Sequence, residues 1–244
     1  MRYLVITDLH ANLQALDAVL ADAQKIGYDA VLVLGDLVGY GADPAAVIAR
    51  TLELSPTAMI RGNHDKVCAG LESAAGFNEV ARRSAEWTAE TLAPADLRML
   101  ADLPRGPRLV EDGLEICHGA TFDEDHYVFS PIDAARSIEA SRGRICLYGH
   151  THLPAIYTSD DDPATSEAGN DEEMHLPMRG PALINVGSVG QPRDGDSRAA
   201  YGILDLDAQT IRMRRVPYDV AGAQMRILDA GLPAWLALRL THGQ

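Results

Sequence analysis

Residues 147–154 read LYGHTHLP, in which a single residue separates two histidines, His150 and His152. Imidazole is a common metal ligand in proteins. In an extended chain, residues two apart face the same side of the strand, so both rings could reach one ion. A histidine in a polar turn is more often simply solvated, and the rest of the sequence has to decide between a metal site and a turn.

Polar residues of metal-binding type follow each of three apolar runs near the N-terminus, RYLVIT, AVLVLG and TAMIRG. These residues are Asp8 and His10, then Asp36, and then Asn63 and His64. Helix-like periodicity separates the runs, which predicts a β-α-β-α-β order with parallel strands and crossover helices. The carboxyl ends of parallel strands lie at one edge of a sheet, where ligands bind.

Two later apolar runs end in the same way, LEIC at His118 and ICLYG at His150. Asp and Asn are ordinary turn residues, which explains one such strand end but not five of them. Glycines accompany these points and would let the chain leave the sheet sharply. They are Gly35, Gly62 and Gly149, each before a candidate ligand, and Gly119 after one.

Composition limits the classes of function. A formal net charge of −14 argues against a dedicated nucleic-acid or anionic-membrane binder. A phosphate-bearing substrate stays compatible, because a bound cation can reverse the local sign of charge. Three cysteines without a CxxC pair suit a reducing compartment, and MRYLVITD enters a strand without a signal-peptide pattern. No apolar run is long enough to span a membrane, and we expect a cytoplasmic protein.

The remaining sequence predicts one α/β domain over residues 1–244, with two mixed sheets and helices on their outer sides. Residues 78–103 look helical with a break at Pro94, inside a helical cap-like segment at about 72–103. Residues 158–181 are acidic and aperiodic, and we expect a mobile surface loop there.

Five short blocks together resemble the calcineurin-like metallophosphoesterases. In family order they are Asp8-x-His10, Gly35-Asp36, Gly62-Asn63-His64-Asp65, His118-Gly119 and Gly149-His150-x-His152. The resemblance extends to about residue 217, and the sequence up to that point is similar to small bacterial and archaeal phosphodiesterases or diadenosine-polyphosphate hydrolases. It implies a four-layer α/β/β/α sandwich and hydrolysis of a phosphodiester or a dinucleoside polyphosphate.

The resemblance also implies a dinuclear metal centre bridged by Asp36. One ion would be held by Asp8, His10, Asp36 and His152. The second would be held by Asp36, Asn63, His118 and His150. Mixed carboxylate, imidazole and amide ligands suit Mn, Fe, Zn or Ni, with Mn favoured for activity. A hydroxide between the two ions would attack phosphorus.

Two residues of the third block have implied catalytic roles. His64 would protonate the leaving oxygen or contact the phosphate, because the pKa of histidine lies near neutral pH. Asp65 would orient His64 by a hydrogen bond, or else be a surface turn residue, and the sequence does not choose between these.

Four further positions are candidates for the cleft. Arg193, in the glycine-rich GSVGQPRDGD, could bind substrate phosphate. Asn78 is a second candidate for substrate binding. Arg61 is expected to pack or pair rather than to contact substrate, and His126 and Tyr127 could line the cleft.

The second block departs from the protein phosphatases of this superfamily. It reads GDLVGYG where they have GDxVDRG, so Gly39-Tyr40-Gly41 lacks their phosphate-contacting arginine. This favours a small nucleotide-like substrate over a phosphoprotein. The alternatives are a phosphomonoesterase or protein phosphatase, and a non-catalytic interaction scaffold of the same fold. The expected partners are that small phosphorylated substrate and, at most, a second copy of the chain in a homodimer.

Overall fold

Apolar runs form two β-sheets in the computed structural model, which describes residues 1–158, 171, 173–177 and 180–244. The strands in these residues are β1 Arg2–Ile6, β2 Ala30–Val33, β3 Ala58–Met59, β4 Arg108–Glu111, β5 Leu114–Ile116, β6 Ile145–Tyr148, β7 Ala155–Thr158, β8 Glu173–His175, β9 Ala182–Asn185, β10 Ala199–Asp205 and β11 Thr210–Val216. The first sheet has the order β3-β2-β1-β10-β11-β8, and the second has the order β4-β5-β6-β9-β7.

Helices lie on the outer sides of both sheets. They are α1 Leu13–Ile26, α2 Pro44–Glu53, α3 Asn63–Cys68, α4 Glu79–Thr91, α5 Pro94–Ala101, α6 Pro131–Ala140, α7 Val220–Asp229 and α8 Ala234–His242, with a 3-10 turn at Ala74–Gly76. Leu16 and Val19 of α1 pack on Leu4 and Ile6 of β1, and Ala134 of α6 packs on the second sheet.

A separate apolar layer fills the space between the sheets. Val5 and Leu32 of the first sheet pack in one buried cluster with Ile116 and Leu147 of the second. Alternation of side chains along each strand sends one set towards this layer and the other towards the helices. The result is the four-layer α/β/β/α sandwich that the resemblance implies, and the predicted fold class is confirmed.

Parallel pairing brings the strand ends that precede the predicted ligands to one side of the molecule. β1 pairs in parallel with β2, and β2 with β3, through the crossover helices α1 and α2. In the second sheet β5 pairs in parallel with β6. The carboxyl ends of both parallel groups therefore meet at the same edge of the sandwich.

Helix α1 shows how the sequence places one such crossover. The Asn12 side chain accepts a hydrogen bond from the N–H of Ala15 and caps the first turn, while Gly27 ends the helix with φ 85°. The carboxylate of Asp22 accepts hydrogen bonds from Arg214 and from the hydroxyl of Tyr201, which tie the helix to β10 and β11.

Residues 72–103 are largely helical. Asn78 caps α4 by accepting from the N–H of Ala81 at 3.0 Å, and Pro94 begins α5 where a break was predicted. The turn before α4 carries Phe77, whose ring lies 4.6 Å from that of His64. The segment thus reaches one of the residues predicted to be catalytic.

The prediction of a loop over residues 158–181 is wrong at 158 and at 173–175, which lie in strands, whereas 171, 176–177 and 180–181 form neither helix nor strand. Thr158 ends β7, and Glu173–His175 form β8, which pairs antiparallel with β11. The free edge of β11 offers unpaired backbone groups, and pairing with them does not require apolar side chains. The rest of the predicted loop, at 159–170, 172 and 178–179, lies outside the described residues.

The C-terminal helices α7 and α8 form a hairpin against the second block of the sequence. Ile227, Leu236 and Leu240 share a buried cluster with Tyr40 and Ala42. The hairpin therefore closes one side of the strand-end edge. Within the described part of the chain, none of the helices is both long and apolar enough to cross a membrane.

Candidate metal centre

The predicted ligands leave their strands through an uncommon backbone conformation. Five of them lie in the left-handed region, with φ between 46° and 67°. They are Asp8, His10, Asp36, His150 and His152. Residues other than glycine rarely adopt this conformation, and Asp, Asn and His tolerate it better than most. Such strain concentrates at functional sites, where the surrounding structure holds it in place.

Four of these residues form the first buried cluster, and their candidate ligand atoms lie within 4.8 Å of one another. The members are Asp8, His10, Asp36 and His152. Nε2 of His10 lies 3.6 Å from Oδ2 of Asp36, and Nε2 of His152 lies 3.4 Å from Oδ1 of Asp8. The two Nε2 atoms are 3.1 Å apart.

A second buried cluster shares Asp36 and adds His118 and His150. Nε2 of His118 lies 3.4 Å from Oδ2 of Asp36 and 3.3 Å from Oδ1 of Asn63. The same carboxylate oxygen therefore faces histidines of both clusters. The other oxygen, Oδ1, accepts from the backbone N–H of His64 at 2.9 Å, which fixes the carboxylate. The two clusters together could hold two metal ions side by side.

Backbone carbonyls fix the tautomers of three histidines through their Nδ1 atoms. The pairs are His10 with Val38 at 3.1 Å, His118 with Leu34 at 2.8 Å, and His152 with Gln191 at 2.6 Å. A carbonyl only accepts, so Nδ1 donates and a neutral ring keeps its lone pair on Nε2. His10 and His152 therefore direct two lone pairs at each other, and a cation between them relieves this repulsion. The donor set fits a divalent metal.

Electrostatics in the buried site favour positive charge. Burial lowers the pKa of His10, His150 and His152 well below the ordinary value, which keeps these rings neutral. Burial also opposes charge on Asp36 and His118, but their mutual attraction lowers the pKa of Asp36 and raises that of His118. The negative potential that retains a proton on His118 would equally attract a metal cation.

The two histidines of LYGHTHLP do not act as a simple same-face pair. Their φ angles of 67° and 60° show that the chain is not extended here, so the two-residue periodicity of a strand does not apply. Nε2 of His150 faces the carbonyl oxygen of Asp125 at 3.0 Å, so its lone pair lies on Nδ1, whereas His152 presents Nε2. Their side chains lie in different clusters, although the backbone N–H of His150 donates to Asp8 of the first cluster.

Close backbone approach explains two of the glycines beside the ligands. A Cβ atom at Gly62 would collide with the carboxylate of Asp36, and one at Gly149 would collide with the hydroxyl of Thr7. Both side chains lie at the ends of strands in the first sheet. The glycines therefore allow the strand ends to come close enough for their ligands to converge.

His64 lies beside the clusters in an aromatic pocket. Its ring is 4.3 Å from that of Tyr40 and 5.0 Å from that of His10. Only 3% of the residue is exposed, and Nδ1 has no hydrogen-bond partner among the described residues. Burial, opposed by Asp36, lowers the pKa of His64 to about 4.

Asp65 fits neither of the two predicted roles. It is fully buried rather than at the surface, and its carboxylate accepts from the N–H groups of Leu37, Val38 and Gly62 at 2.9, 3.3 and 2.9 Å. None of the hydrogen bonds among the described residues joins it to the ring of His64. Its role in the structure is to hold the loop after β2 against the first turn of α3.

Arg193 and Tyr127 lie over the clusters. The charge of Arg193 acts on Asp8 and on His152, and its buried Nε has no partner among the described residues. The ring of Tyr127 stacks on that of His150 with centroids 3.8 Å apart. Both residues are therefore placed to meet a molecule that binds at the centre.

Three other candidates have structural partners. Arg61 forms a two-point ion pair with Glu124 at 2.9 and 3.1 Å, in agreement with the expected pairing. His126 contacts the carboxylate of Asp133 at 3.1 Å. Asn78 caps α4 through Oδ1 while it also lines a cavity beside Tyr40.

Sequence reasoning overlooked Tyr40 and Phe77, which enclose His64, and the carbonyl groups that orient the histidines. In the sequence, Tyr40 stands out only because the second block departs from GDxVDRG. In the structure, its φ of 61° lies in the same left-handed region as that of the five predicted ligands. Nothing in a sequence identifies which carbonyl will accept from a given imidazole, because every residue has one.

Comparison with known proteins places these features in a family. Residues 1–209 match the model of the calcineurin-like phosphoesterase superfamily domain. The chain is 33% identical over 247 residues to the uncharacterized protein MJ0912 of Methanocaldococcus jannaschii, covering 98% of this chain and 97% of that protein. Helices α7 and α8 lie beyond the residues that match the family model.

Solved structures show the same architecture. The crystal structure of a metallophosphoesterase from Sphaerobacter thermophilus has a TM-score of 0.89 and 37% identity, covering 100% of this chain and 99% of that one. The protein PH1004 from Pyrococcus horikoshii OT3 has a TM-score of 0.79 at 20% identity, covering 100% and 98% of the two chains, and shares the fold.

Proposed function

The chain belongs to the calcineurin-like phosphoesterase superfamily, and from this premise we propose that it hydrolyses phosphoester bonds with the help of two divalent metal ions. The proposed substrate is a phosphodiester or a dinucleoside polyphosphate. The observation that carries the proposal is the pair of buried ligand clusters that share one oxygen of Asp36.

Bound divalent ions would supply Lewis acidity at the phosphoryl oxygens and would acidify a water molecule for attack on phosphorus. The chain's part is to hold its donors in place. Asp8, His10, Asp36 and His152 would bind one ion, and Asp36, Asn63, His118 and His150 the other. Because backbone carbonyls fix the tautomers of the neutral rings of His10, His150 and His152, their lone pairs are already assigned before an ion binds, whereas His118 would first lose the proton that its raised pKa retains. Mn²⁺ is the ion we favour for activity.

Two residues beside the clusters would act on the substrate itself. His64 lies within the aromatic pocket next to Asp36, and its pKa of about 4 leaves the ring neutral near pH 7. It would donate a hydrogen bond to the leaving oxygen, or a proton once the charge of a bound phosphate raises its pKa. The guanidinium of Arg193 would bind a phosphoryl oxygen, since its Nε atom has no partner among the described residues.

The shape of the cleft supports a small substrate. Tyr40 occupies the place of the arginine block found in protein phosphatases, and its ring packs on His10 and His64 at 4.7 and 4.3 Å. Tyr127 stacks on His150 of the second cluster. Aromatic rings beside both clusters suit a nucleotide-like molecule better than a folded protein. We propose this small phosphorylated molecule as the partner, with self-association limited to a homodimer.

The proposal is tested by hydrolysis of bis-p-nitrophenyl phosphate after the protein is stripped with a chelator and reloaded with Mn²⁺, Zn²⁺, Ni²⁺ or Fe²⁺. We expect turnover that depends on the added metal. In Asp36→Asn, the shared carboxylate is lost, and both the activity and the bound metal should fall sharply. The matched control is Asp17→Asn on the exposed side of α1, which should behave as the unchanged protein does.

A folded protein that turns over no substrate with any of these metals would favour the scaffold alternative. Full metal occupancy and normal turnover in Asp36→Asn would show that Asp36 does not bridge. A panel of dinucleoside polyphosphates, cyclic nucleotides, phosphomonoesters and phosphopeptides then ranks the substrates by kcat/KM. A clear preference for phosphopeptides or monoesters would overturn the proposed substrate class.

A further inference from the structure

An arginine of the C-terminal hairpin lies close to the centre without an acidic side chain as its partner among the described residues. Arg239 of α8 is half-buried, and its Nε donates to the terminal main-chain oxygen of Gln244. No hydrogen bond or ion pair joins its two terminal amino groups to any of the described residues. Other partly buried arginines do pair, such as Arg61 with Glu124 and Arg214 with Asp22.

Arg239 and Arg193 approach the same aromatic ring. Their guanidinium carbons lie 5.9 and 5.7 Å from the centroid of the Tyr40 ring. Arg193 donates to Oε1 of Gln191 at 3.1 Å and also interacts with the hydroxyl groups of Tyr40 and Tyr127. Both guanidinium groups therefore lie close to Tyr40, and the charge of Arg193 also acts on Arg239.

A cavity of about 290 Å³ opens beside Arg239. Its lining residues are Tyr40, Asn78, Glu79, Val80, Trp235 and Arg239. Glu79 is exposed and makes no ion pair with Arg239 among the described residues. The cavity is therefore next to the centre, and its half-buried cation is available to a ligand.

Two neighbouring guanidinium groups without acidic side-chain partners repel each other and lose hydration, which destabilises the fold. The arrangement is unusual in a protein with a net charge of −14, where acidic partners are abundant. Burial, and then the charge of Arg193, lower the pKa of Arg239 to about 10. An anion between or beside the two groups would remove both costs, since guanidinium binds phosphate through paired hydrogen bonds.

We propose that Arg239 binds an anionic group of the substrate beyond the phosphoryl group at the centre, so that Arg193 and Arg239 hold successive phosphates of a polyphosphate chain. This assignment rests on the proposed function and narrows its substrate class to phosphoanhydrides. Arg239 is then a specificity-determining residue on a helix outside the stretch that matches the family model.

The first test compares kcat/KM for diadenosine tetraphosphate and for bis-p-nitrophenyl phosphate, which carries one phosphate. Arg239→Met should lower the value for the tetraphosphate at least about tenfold more than the value for the diester, the scale of one lost charge-assisted hydrogen bond. Arg239→Lys should retain part of the preference. Arg108→Met removes an exposed arginine of β4 and should change neither value.

The second test measures binding without turnover. The chain has two tryptophans, and Trp235 lines the cavity, so inorganic tripolyphosphate should change the intrinsic fluorescence of the metal-free protein. Arg239→Met should raise the Kd at least about tenfold, Arg108→Met should leave it unchanged, and Trp235→Phe should remove the signal.

The two tests separate the failure of this assignment from that of the proposed function. If the unaltered protein hydrolyses neither compound, the proposed function fails, and the fluorescence titration alone judges Arg239. Equal losses for both substrates, or unchanged affinity of Arg239→Met for tripolyphosphate, would overturn the assignment.

Discussion

His150 and His152 are separated by one residue, yet they present different ring nitrogens to different clusters. His150 is turned by the carbonyl of Asp125 and His152 by that of Gln191. Because each carbonyl fixes one tautomer, the two rings offer lone pairs on different nitrogens. We therefore predict that the pair serves two metal positions rather than one.

Removal of the two histidines one at a time and together tests this division. Each of His150→Ala and His152→Ala should lower the metal content from about two ions per chain to about one, because each weakens a different site. The double variant should retain almost none. Metal content is measured by elemental analysis after dialysis, and a double variant that still holds one ion would show that both rings serve the same site.

His64 is predicted to act on the substrate rather than on the metals. His64→Ala should leave the metal content near normal while kcat falls at least about 10²-fold, the usual effect of losing a general acid. The loss should be greater for a nucleoside leaving group than for p-nitrophenolate, which leaves without a proton. Equal losses for the two leaving groups would assign His64 to phosphate contact, and an unchanged rate would remove it from the mechanism.

At the scale of elements, one partly buried carboxylate of helix α1 adds a polar link to the apolar packing of this helix on the sheet. Asp22 accepts from Arg214 and Tyr201, with 17% of its side chain exposed. Although burial opposes ionisation, these hydrogen bonds outweigh it and lower the pKa of Asp22. A lowered pKa in the folded state contributes stability that is complete above the unfolded pKa and is lost as the pH falls through the folded value.

Asp22→Asn should therefore lower the free energy of unfolding by about 1–2 kcal/mol at pH 7. The difference from the unaltered protein should stay constant down to about pH 4, near the ordinary pKa of Asp, and should close below it. Urea unfolding at a series of pH values measures this. The control is Asp17→Asn on the same helix, whose exposed pair with Arg50 should contribute little.

The sequence predicted the parallel strands, their polar ends and the helix breaks because each has a local signal. Pro94 and the run before Asp8 are examples. It missed β8, whose strand conformation depends on the free edge of β11, a contact across the fold. It also gave Asp65 two possible roles that the structure does not show, because two of its three N–H partners, Leu37 and Val38, lie 28 and 27 residues away in sequence.

At the scale of the whole molecule, the centre joins the two sheets. Asp8, His10 and Asp36 follow strands of the first sheet, whereas His118 and His150 follow strands of the second. The N–H of His150 donates to Asp8 across this junction at 3.1 Å. A metal ion bound by side chains of both sheets would cross-link the sandwich at its strand-end edge.

Metal binding should therefore raise the temperature of unfolding. At 100 times the Kd, one bound ion adds about 2.7 kcal/mol, which corresponds to roughly 5–10 °C for a chain of this size. Calorimetry of chelator-treated protein with and without Mn²⁺ measures the shift. Asp36→Asn should lose most of it, and an unchanged midpoint in the unaltered protein would show that the ions do not join the sheets.

The left-handed backbone at five ligand positions affects which residues evolution would retain there. At each of these positions glycine would relax the chain, and a β-branched residue would strain it further. Relief of this strain would favour replacement of the ligand side chains in the metal-free fold, against the buried hydrogen bonds that Asp8 and Asp36 accept from backbone N–H groups. In a lineage that had abandoned catalysis, these positions should drift towards Gly and Asn before the core changes.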